Sequence, residues 1–326
     1  MNTPMNRRRF LKVSALAAAG LMLPQQRAGA QGLVKFTMQA AWVNDAEFMG
    51  YFVGMDRGFY KAEGLDLSYL PGGPDVIPES ALLSRKADLA LTTVETTIKA
   101  ITEQKAPFMI VGAQYQKSPV GIVSLAKNPI RKPADLVGKT LAVPPVNRLT
   151  VEAMLKVSGV DQSKVRIVPY AYDPTPLIKG EIDASLDFTT NVPYTLKQQG
   201  AEAVSFLIYD FGFPVFNDVV VVTQETLKSK RKQIVAWLKA SRRGWAENLR
   251  DPAKYPLTFK DSYFKGTGRT LENEVYFNTA QKPLIEIPGG IFSMSEGAIA
   301  KCIRALSAIG IKAERKHFDT TLLKEI

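Results

Sequence analysis

The sequence predicts an α/β protein built from two similar lobes with a cleft between them. Short apolar strand patterns alternate with helical patterns along much of the chain, and the alternation restarts near residue 139. No low-complexity linker separates the two halves, which indicates that the chain crosses between the lobes more than once. A chain of 326 residues is long enough to bury two hydrophobic cores.

The first half of this pattern opens with a strand, because apolar and β-branched residues fill positions 34–41. Segment 45–61 has helical spacing and is closed by Gly58 and Gly64. Further strands are expected at 65–70, 88–91 and 108–113, and further helices at 78–85 and 94–103. This strand–helix–strand rhythm predicts a largely parallel sheet with helices on both faces.

The second half repeats the rhythm and then becomes mainly helical. Strands are expected at 139–143, 166–170, 184–186 and 219–223, and helices at 148–157 and 174–179. In the segment 228–249 the apolar residues recur at helical spacing. Trp237 and Trp245 belong to that apolar series, so we expect both indole rings in the core.

Two short segments, 114–120 and 212–218, contain Pro or Gly and are expected to carry the chain between the lobes as hinges. One lobe is therefore expected to comprise 31–117 and 218–326, and the other 118–217. Because the chain is expected to cross twice, it returns to the lobe in which it began, and that lobe is formed by two separate segments of the sequence.

The amino-terminal segment has the order of a secretory signal. The twin arginines Arg7 and Arg8 precede the apolar stretch Val13–Leu23, and Ala28-Gly29-Ala30 forms a small-x-small cleavage site. The apolar stretch is shorter than the roughly 20 residues that span a bilayer. Residues 1–30 are therefore expected to be a twin-arginine signal peptide, and the mature protein to be soluble and periplasmic.

Composition excludes several classes of function. Cys302 is the only cysteine and His317 the only histidine. A single cysteine cannot form a disulfide within the chain, and no cysteine stands at the cleavage site to carry a lipid. A metal site built from His and Cys ligands is not expected either. His317 is expected at the surface unless it serves as a catalytic base. The formal charge is +11, and residues 1–30 contribute five of those positive charges and no acids, so no nucleic-acid partner is expected.

Enzyme and cofactor signatures are missing from the sequence. No Gly-x-Gly-x-x-Gly run follows the first strand, and neither a phosphate-binding Gly-x-x-x-x-Gly-Lys-Ser/Thr loop nor a Gly-x-Ser-x-Gly elbow is found. We therefore expect a protein without a cofactor and without catalytic residues.

Candidate ligand-binding residues follow the predicted strands, because ligands of open α/β sheets bind beyond the carboxyl ends of the strands. The set combines flat aromatic rings with neutral and acidic hydrogen-bonding groups. It suits a planar heterocycle that carries hydrogen-bond donors. The candidates are Trp42, Asn44, Glu47, Thr93, Glu95, Tyr115, Asn147, Arg148, Tyr170, Asp187 and Phe188.

Several of these residues have an alternative interpretation. Asn44-x-x-Glu47 and Thr92-x-x-Glu95 both have the spacing of a helix capping box. Asn147 also suits a helix N-cap, and the free N–H groups behind it could bind a phosphate or carboxylate with Arg148. Arg148 could equally pair with a carboxylate of the protein.

Three runs near the mature amino terminus resemble a known family. Trp42–Tyr51, Gly58–Asp66 and Pro71–Asp75 are similar to the NMT1/THI5-like family of periplasmic solute-binding proteins, which serve ABC importers, and Gly138–Val143 and Gly212–Asp218 extend the similarity. The resemblance implies the periplasmic binding protein type 2 fold, with two lobes of mostly parallel sheets, two hinge crossings and a central cleft. It also implies a small-molecule ligand, a permease and ATPase complex as partner, and a monomer.

Ligands in this superfamily include thiamin pyrimidine precursors, riboflavin and aliphatic sulfonates. The Trp42, Asn44 and Glu47 cluster resembles the pyrimidine and flavin binders more than the sulfonate binders. By that resemblance Trp42 would stack on the ring, and Asn44 and Glu47 would bond its polar edge. The alternatives are a binder of a sulfonate or carboxylate anion, a secreted enzyme that uses cleft carboxylates, and a sensor module that presents its closed form to a receptor.

The same family includes a thiamin pyrimidine synthase, which consumes its own histidine and carries a cysteine-rich motif. That motif is absent here, and the single histidine lies at position 317. The resemblance therefore implies binding rather than synthesis.

Overall fold

The computed structural model describes residues 32–326, so the expected signal peptide lies outside the described residues. The strands form two five-stranded sheets. In chain order they are β1 (Val34–Gln39), β2 (Leu65–Leu70), β3 (Leu89–Thr92), β4 (Phe108–Tyr115), β5 (Val120–Leu125), β6 (Thr140–Val143), β7 (Arg166–Pro169), β8 (Ala184–Phe188), β9 (Ala203–Leu207) and β10 (Asn217–Thr223).

Helices cover both sheets and fill most of the chain after β10. They are α1 (Met49–Asp56), α2 (Phe59–Ala62), α3 (Pro78–Leu83), α4 (Val94–Gln104), α5 (Arg148–Val157), α6 (Thr175–Lys179), α7 (Val192–Gln198), α8 (Gln224–Ser229), α9 (Arg231–Arg250), α10 (Lys254–Phe259), α11 (Leu271–Ala280), α12 (Lys282–Ile285) and α13 (Glu296–Ala308). No helix within 32–326 is long and apolar enough to cross a membrane.

The two sheets share one plan of strand pairing. The first has the order β2-β1-β3-β10-β4 and the second β7-β6-β8-β5-β9. In the first sheet β1 is parallel to β2 and β3, whereas β10 is antiparallel to β3 and β4. In the second, β6 is parallel to β7 and β8, and β5 is antiparallel to β8 and β9. The two-lobed α/β fold is thus confirmed.

In each sheet four of the five strands run in the same direction, so the sheets are mostly parallel as expected, and the crossings explain the one strand that runs against the others. β5 and β10 are the strands by which the chain enters one sheet after leaving the other. Both start at the edge where their parallel neighbours end, so both must run in the opposite direction.

The register places the carboxyl edges of both sheets at the same gap. Tyr115 at the end of β4 pairs with Asn217 at the start of β10, and Val120 at the start of β5 pairs with Phe188 at the end of β8. The crossings are therefore the short links from Tyr115 to Val120 and from Leu207 to Asn217. The exact lobe boundaries expected from the sequence remain a prediction.

Several element bounds differ from the sequence expectation. The single helix expected at 45–61 is a 3-10 turn at Ala46–Phe48 followed by α1 and α2. Gly58, with φ 69°, separates α1 from α2, because a left-handed residue cannot continue a helix. Strands β5 and β9 were not identified from the sequence. β5 begins directly at the expected hinge, and its Gly121 interrupts the strand signal.

The core of the first lobe packs α1 directly on α9. A Cβ atom on Gly244 would lie 2.1 Å from the Gly50 carbonyl oxygen, and one on Gly50 would lie 2.2 Å from the Trp245 ring. Trp237 and Trp245 are fully buried, as expected. This close contact fixes α1, whose amino-terminal end follows the loop that carries Trp42 to Glu47.

His317 is not at the surface, contrary to expectation. It is buried, and its Nδ1 accepts a hydrogen bond of 3.1 Å from the backbone N–H of Glu314. A short 3-10 turn folds the ring back against the chain, which the sequence around it does not signal.

Candidate functional site

The gap between the two sheet edges is bounded by three sets of side chains. We call Trp42, Tyr170 and Tyr172 the aromatic wall, and Asp45, Glu47, Asp218 and Glu274 the acidic cluster. The third set, the polar pocket, surrounds a small cavity lined by Thr93, Glu95, Ser118, Asn147 and Asn217 together with apolar side chains of the second crossing.

The aromatic wall joins the two lobes. Trp42 follows β1 of the first sheet, and Tyr172 follows β7 of the second, with ring centroids 5.3 Å apart at 60°. Tyr170 continues the row at 5.8 Å from Tyr172. Tyr172 has φ 61° and is 47% exposed. Non-glycine residues held in the left-handed region cluster at ligand-binding and active sites, so Tyr172 is a candidate ligand contact.

A glycine supports the position of Trp42. The Gly72 N–H donates to the Trp42 carbonyl oxygen at 2.8 Å. A Cβ atom on Gly72 would lie 2.5 Å from the Trp42 backbone nitrogen. The turn at Pro71–Pro74 therefore places the Trp42 loop through a close approach that only glycine permits.

Asp187 stands behind the aromatic wall in the second lobe. Its carboxylate accepts a 2.5 Å hydrogen bond from the Ser185 hydroxyl, and the side chain is buried. Burial raises the pKa of Asp187 to about 7, an effect that the hydroxyls of Ser185 and Tyr170 partly offset.

The acidic cluster is assembled from distant parts of the chain. Asp45 caps the 3-10 turn by accepting from the Glu47 N–H at 3.0 Å, and Glu274 of α11 accepts from the Ala46 N–H at 2.5 Å. Gln114 of β4 donates to the Asp218 carboxylate at 3.0 Å and to the Glu47 carbonyl oxygen at 2.8 Å. These contacts hold the 3-10 turn at the end of the Trp42–Glu47 loop against the start of β10.

Burial and mutual repulsion raise the pKa values of the carboxyl groups in the acidic cluster. The four residues are each at most 4% exposed. Burial raises the pKa of Asp45 to about 6, against the opposing charge of Arg269. It raises the pKa of Asp218 to about 7 and that of Glu274 to about 8. The pKa of Glu47 is raised well above its ordinary value by burial and then by the charges of Asp218 and Asp45.

One cation offsets this cluster in the described part of the chain. Arg269 donates to the Asp45 carboxylate at 3.0 Å. Between residues 32 and 326 no group of His, Cys, Asp and Glu side chains has an arrangement that could hold a metal ion.

The polar pocket lies at the crossings. Its cavity has a volume of about 20 Å³, which is room for about one water molecule and far below the ~300 Å³ of a small ligand site. Glu95 lines it from the first turn of α4, and burial raises the pKa of that carboxyl to about 7. A ring-sized ligand therefore requires the lobes to move apart.

The residues that cap these two helical segments lie one position after those expected from the capping-box spacing. Asp45, not Asn44, caps the turn, and Thr93, not Thr92, caps α4 by accepting from the Thr96 N–H at 3.3 Å. Asn44 instead donates to the Tyr263 carbonyl oxygen at 3.1 Å. The capping interpretation of Asn44 and Thr92 is therefore wrong.

The remaining candidates divide between the interior and the surface. Tyr115 is buried, donates to the Gln281 side-chain oxygen at 2.6 Å, and meets the Phe188 ring edge-on at 6.2 Å. Arg148 is exposed and binds Glu152 of its own helix at 2.8 Å. The structure thus places Arg148 in an ion pair and brings Asn147, its neighbour, to the polar pocket.

A row of contacts between α7 and α11 bridges the lobes beside the cluster. Asn273 donates to the Asn191 side-chain oxygen at 2.8 Å, and the rings of Tyr194 and Tyr276 stack at 4.9 Å. With the Trp42–Tyr172 contact, these bridges show that the lobes are closed on each other in this structure.

Sequence reasoning missed Asp45, Asp218, Gln114, Glu274 and Arg269. Asp218 could have been found by extending the strand-edge rule to the first residue of an antiparallel strand. Glu274 and Arg269 lie in and before a helix with no distinctive pattern, so no sequence signal marks them.

Comparison with known proteins finds a matching family and curated relatives. The sequence model of a family described as "NMT1/THI5 like" matches residues 45–255. The chain is 22% identical to the riboflavin-binding protein RibY of Chloroflexus aurantiacus, over 68% of this chain and 64% of that protein. It is 25% identical to a formylaminopyrimidine-binding protein of Halalkalibacterium halodurans, over 65% of each. The chain thus spans just under two thirds of the length of these curated relatives.

Solved structures share the fold at low sequence identity. The periplasmic aliphatic sulphonate binding protein SsuA of Escherichia coli has a TM-score of 0.67 and 12% identity, over 87% of this chain and 95% of that one. The alkanesulfonate-binding protein SsuA of Xanthomonas axonopodis pv. citri, bound to MOPS, has 0.63 and 14%, over 90% and 100%. A desulfurization enzyme, DSZB, has 0.55 and 12%, over 89% and 98%. Since binding proteins and an enzyme share it, the fold alone does not decide function.

Proposed function

The chain belongs to the NMT1/THI5-like family, and from that premise we propose that it is the solute-binding component of an ABC importer. It captures a small aromatic heterocycle between its lobes. The observation that carries this proposal is the aromatic pair Trp42–Tyr172, contributed by opposite lobes at 5.3 Å. The two rings meet edge to face in the closed form, and once the lobes separate they offer aromatic surface on both sides of the cleft, which suits a flat ring better than a compact anion.

The polar edge of the ring faces the side chains beside the wall. Asn44 and Glu47 follow Trp42 in the same loop, and Tyr170 and Asp187 lie on the other lobe. Carboxyl groups with raised pKa accept or donate hydrogen bonds according to their protonation, so they can match the N–H and ring-nitrogen groups of a heterocycle. Thr93, Glu95 and Asn147 complete the site once the lobes separate.

Capture follows from the two crossings. The open form admits the ligand, and closure about the links 115–120 and 207–217 brings the aromatic wall together. The closed form then docks on a permease and ATPase complex. Export through the twin-arginine signal would place a monomeric, unanchored protein in the periplasm, where such delivery takes place. No covalent step is required, so binding residues need supply only affinity and orientation.

An anion-binding role is disfavoured by the charge around the gap. Arg148 is paired with Glu152 at the surface, and Arg269, the cation at the acidic cluster, is paired with Asp45, so neither guanidinium is free to bind a sulfonate. A secreted enzyme remains the rival that the shared fold of the desulfurization enzyme motivates. Unchanged recovery of the bound ligand by mass spectrometry separates binding from turnover.

Trp42→Ala tests the proposal against a panel of pyrimidine precursors, riboflavin and alkanesulfonates in calorimetric titrations. Loss of stacking should cost about 1–3 kcal/mol, which weakens Kd roughly 5-fold to 150-fold. Leu257→Ala, an exposed residue far along the chain, is the control and should leave Kd unchanged. Equal ligand affinity in Trp42→Ala and the unaltered protein would show that the site is elsewhere.

A further inference from the structure

A groove large enough for a small molecule lies outside the cleft, between α5 and the carboxyl end of α13. Its volume is about 440 Å³, which is within the ~300–1,000 Å³ of small-ligand sites. Its apolar lining comes from both lobes: Leu149, Ala153 and Val160 from the second, and Ala308 and Ile309 from the first. No residue of the aromatic wall, the acidic cluster or the polar pocket lines it, so it is a separate site.

The rim of this groove is basic. Lys156 lines it from α5 and is exposed, and Arg304, also exposed, lies one helical turn before Ala308 on the same face of α13. Neither cation has an ion-pair partner within the described chain. Glu152 is the one acid in the lining, and its carboxylate already accepts a 2.8 Å hydrogen bond from Arg148. The groove therefore offers unpaired positive charge beside apolar surface.

The groove and the α7–α11 bridge lie on opposite faces of the two sheets. In the second sheet Ile122 packs in the core that α5 covers, and the next residue, Val123, packs with α7. In the first sheet Val221 packs in the core that includes α13, and Val222 packs in the core that includes α11. Because successive strand residues point to opposite faces, α5 and α13 share one side of the molecule, and α7 and α11 share the other.

The crossings between the lobes run between these two sides. A Cβ atom on Gly212, in the second crossing, would lie 2.3 Å from the Val157 side chain of α5. Phe216, later in the same crossing, is buried in the core that includes Cys302 of α13. A rotation about the crossings that separates α7 from α11 therefore brings α5 toward α13 and narrows the groove.

We propose that the groove between α5 and α13 binds a small amphipathic anion, a carboxylate on an apolar chain, and that its occupancy holds the lobes closed. The chain lies along Leu149 and Ile309, where burial of apolar surface supplies affinity, and the carboxylate pairs with Lys156. A molecule that fills the groove binds the closed form better than the open form, because opening narrows the groove. The anion is thus an effector of closure and not the transported solute.

The first experiment measures binding by calorimetry on the full chain without a cleft ligand. Octanoate is the probe, and octylammonium, which has the same chain length and the opposite charge, should bind about fivefold or more weakly. Lys156→Gln should weaken the Kd of octanoate about 2-fold to 5-fold, as for an exposed ion pair. Lys179→Gln, at an exposed lysine in the last turn of α6, is the matched control and should leave Kd unchanged.

Ala308→Trp tests the groove itself. Ala308 is exposed, so an indole ring there fills the groove without displacing the core, and octanoate binding should be lost. Thermal unfolding verifies that the variant is folded. Octanoate binding that is absent, or that is insensitive to both Lys156→Gln and Ala308→Trp, overturns the inference. Binding that is lost in Trp42→Ala instead places octanoate in the cleft and overturns it as well.

The second experiment measures closure by electron paramagnetic resonance. Spin labels on Lys197→Cys and Glu272→Cys, at exposed positions of α7 and α11, report the distance across the bridged side, and the buried Cys302 stays unlabelled. Octanoate should increase the fraction of molecules with the short distance, and Ala308→Trp should do so without octanoate. Distances that both changes leave unaltered overturn the inference. Capture of a heterocycle is tested separately by titration with ring ligands, so it stands or falls independently.

Discussion

The two sides of the cleft are built differently. The side from the first sheet consists of carboxyl groups that are at most 4% exposed and fixed by backbone N–H donors and Gln114. The side from the second sheet presents Tyr172, which is 47% exposed in a left-handed conformation, and Arg148, which is exposed. Hydrogen-bonding groups are therefore preorganised on one side, and adjustable contact area lies on the other.

The difference follows from where the residues come from in the chain. The acidic cluster joins the loop after β1, the end of β4, the start of β10 and α11, so only the completed first lobe forms it. The residues of the second side follow neighbouring strands β6, β7 and β8. A group fixed by several distant elements cannot adjust to a ligand, whereas a side chain on one loop can.

The first side of the cleft depends on the packing of α1 against α9. Gly244→Ala places a Cβ 2.1 Å from the Gly50 carbonyl oxygen and should push α9 away from α1. Overpacking of this kind costs about 1–3 kcal/mol in the free energy of unfolding. Urea denaturation followed by circular dichroism measures it.

Gly297→Ala is the matched control for that substitution, because a Cβ at this helical glycine meets no atom within 4 Å. It should be neutral or stabilise by up to about 1 kcal/mol. If both variants unfold at the same urea concentration, the α1–α9 contact does not support the first side.

The acidic cluster should also give the protein an unusual pH dependence. Its folded-state pKa values are about 6 for Asp45, about 7 for Asp218 and about 8 for Glu274, all above the unfolded values. A group with a raised pKa contributes stability that is complete below its unfolded pKa and is lost as the pH rises through its folded pKa. The free energy of unfolding should therefore fall by about 2 kcal/mol or more between about pH 5 and about pH 8.

Glu274→Gln removes one of these titrating groups and should flatten that decline, whereas the surface variant Glu225→Gln should leave it unchanged. Exposed carboxyls such as Asp161 and Glu296, whose pKa is lowered mainly by side-chain hydrogen bonds, act in the opposite direction and only at lower pH. Stability that is constant or rises from about pH 5 to about pH 8 would contradict buried, proton-holding carboxyls.

The sequence was sufficient for the two-lobed plan and for part of the site. Alternating strand and helix patterns located most elements, and the rule that ligands bind beyond strand ends pointed to Trp42 and Glu47. The acidic cluster could not be predicted as a unit, because Glu274 and Asp218 reach Asp45 only through tertiary packing. Strand β5 was missed because it begins directly at a crossing and Gly121 interrupts its strand signal.

The smallest expected change in Kd concerns Arg148, on the second side of the cleft. Arg148→Ala should change the Kd of a ring ligand by less than about twofold, because the guanidinium is exposed and paired with Glu152. Asn147→Ala, at the adjacent residue that lines the polar pocket, should weaken Kd by about 2-fold to 10-fold through one lost hydrogen bond. Should Arg148→Ala weaken binding more than Asn147→Ala, the arginine must leave Glu152 and reach the ligand on closure. The second side would then contribute charge as well as contact area, and an anionic group on the ring ligand would have to be reconsidered.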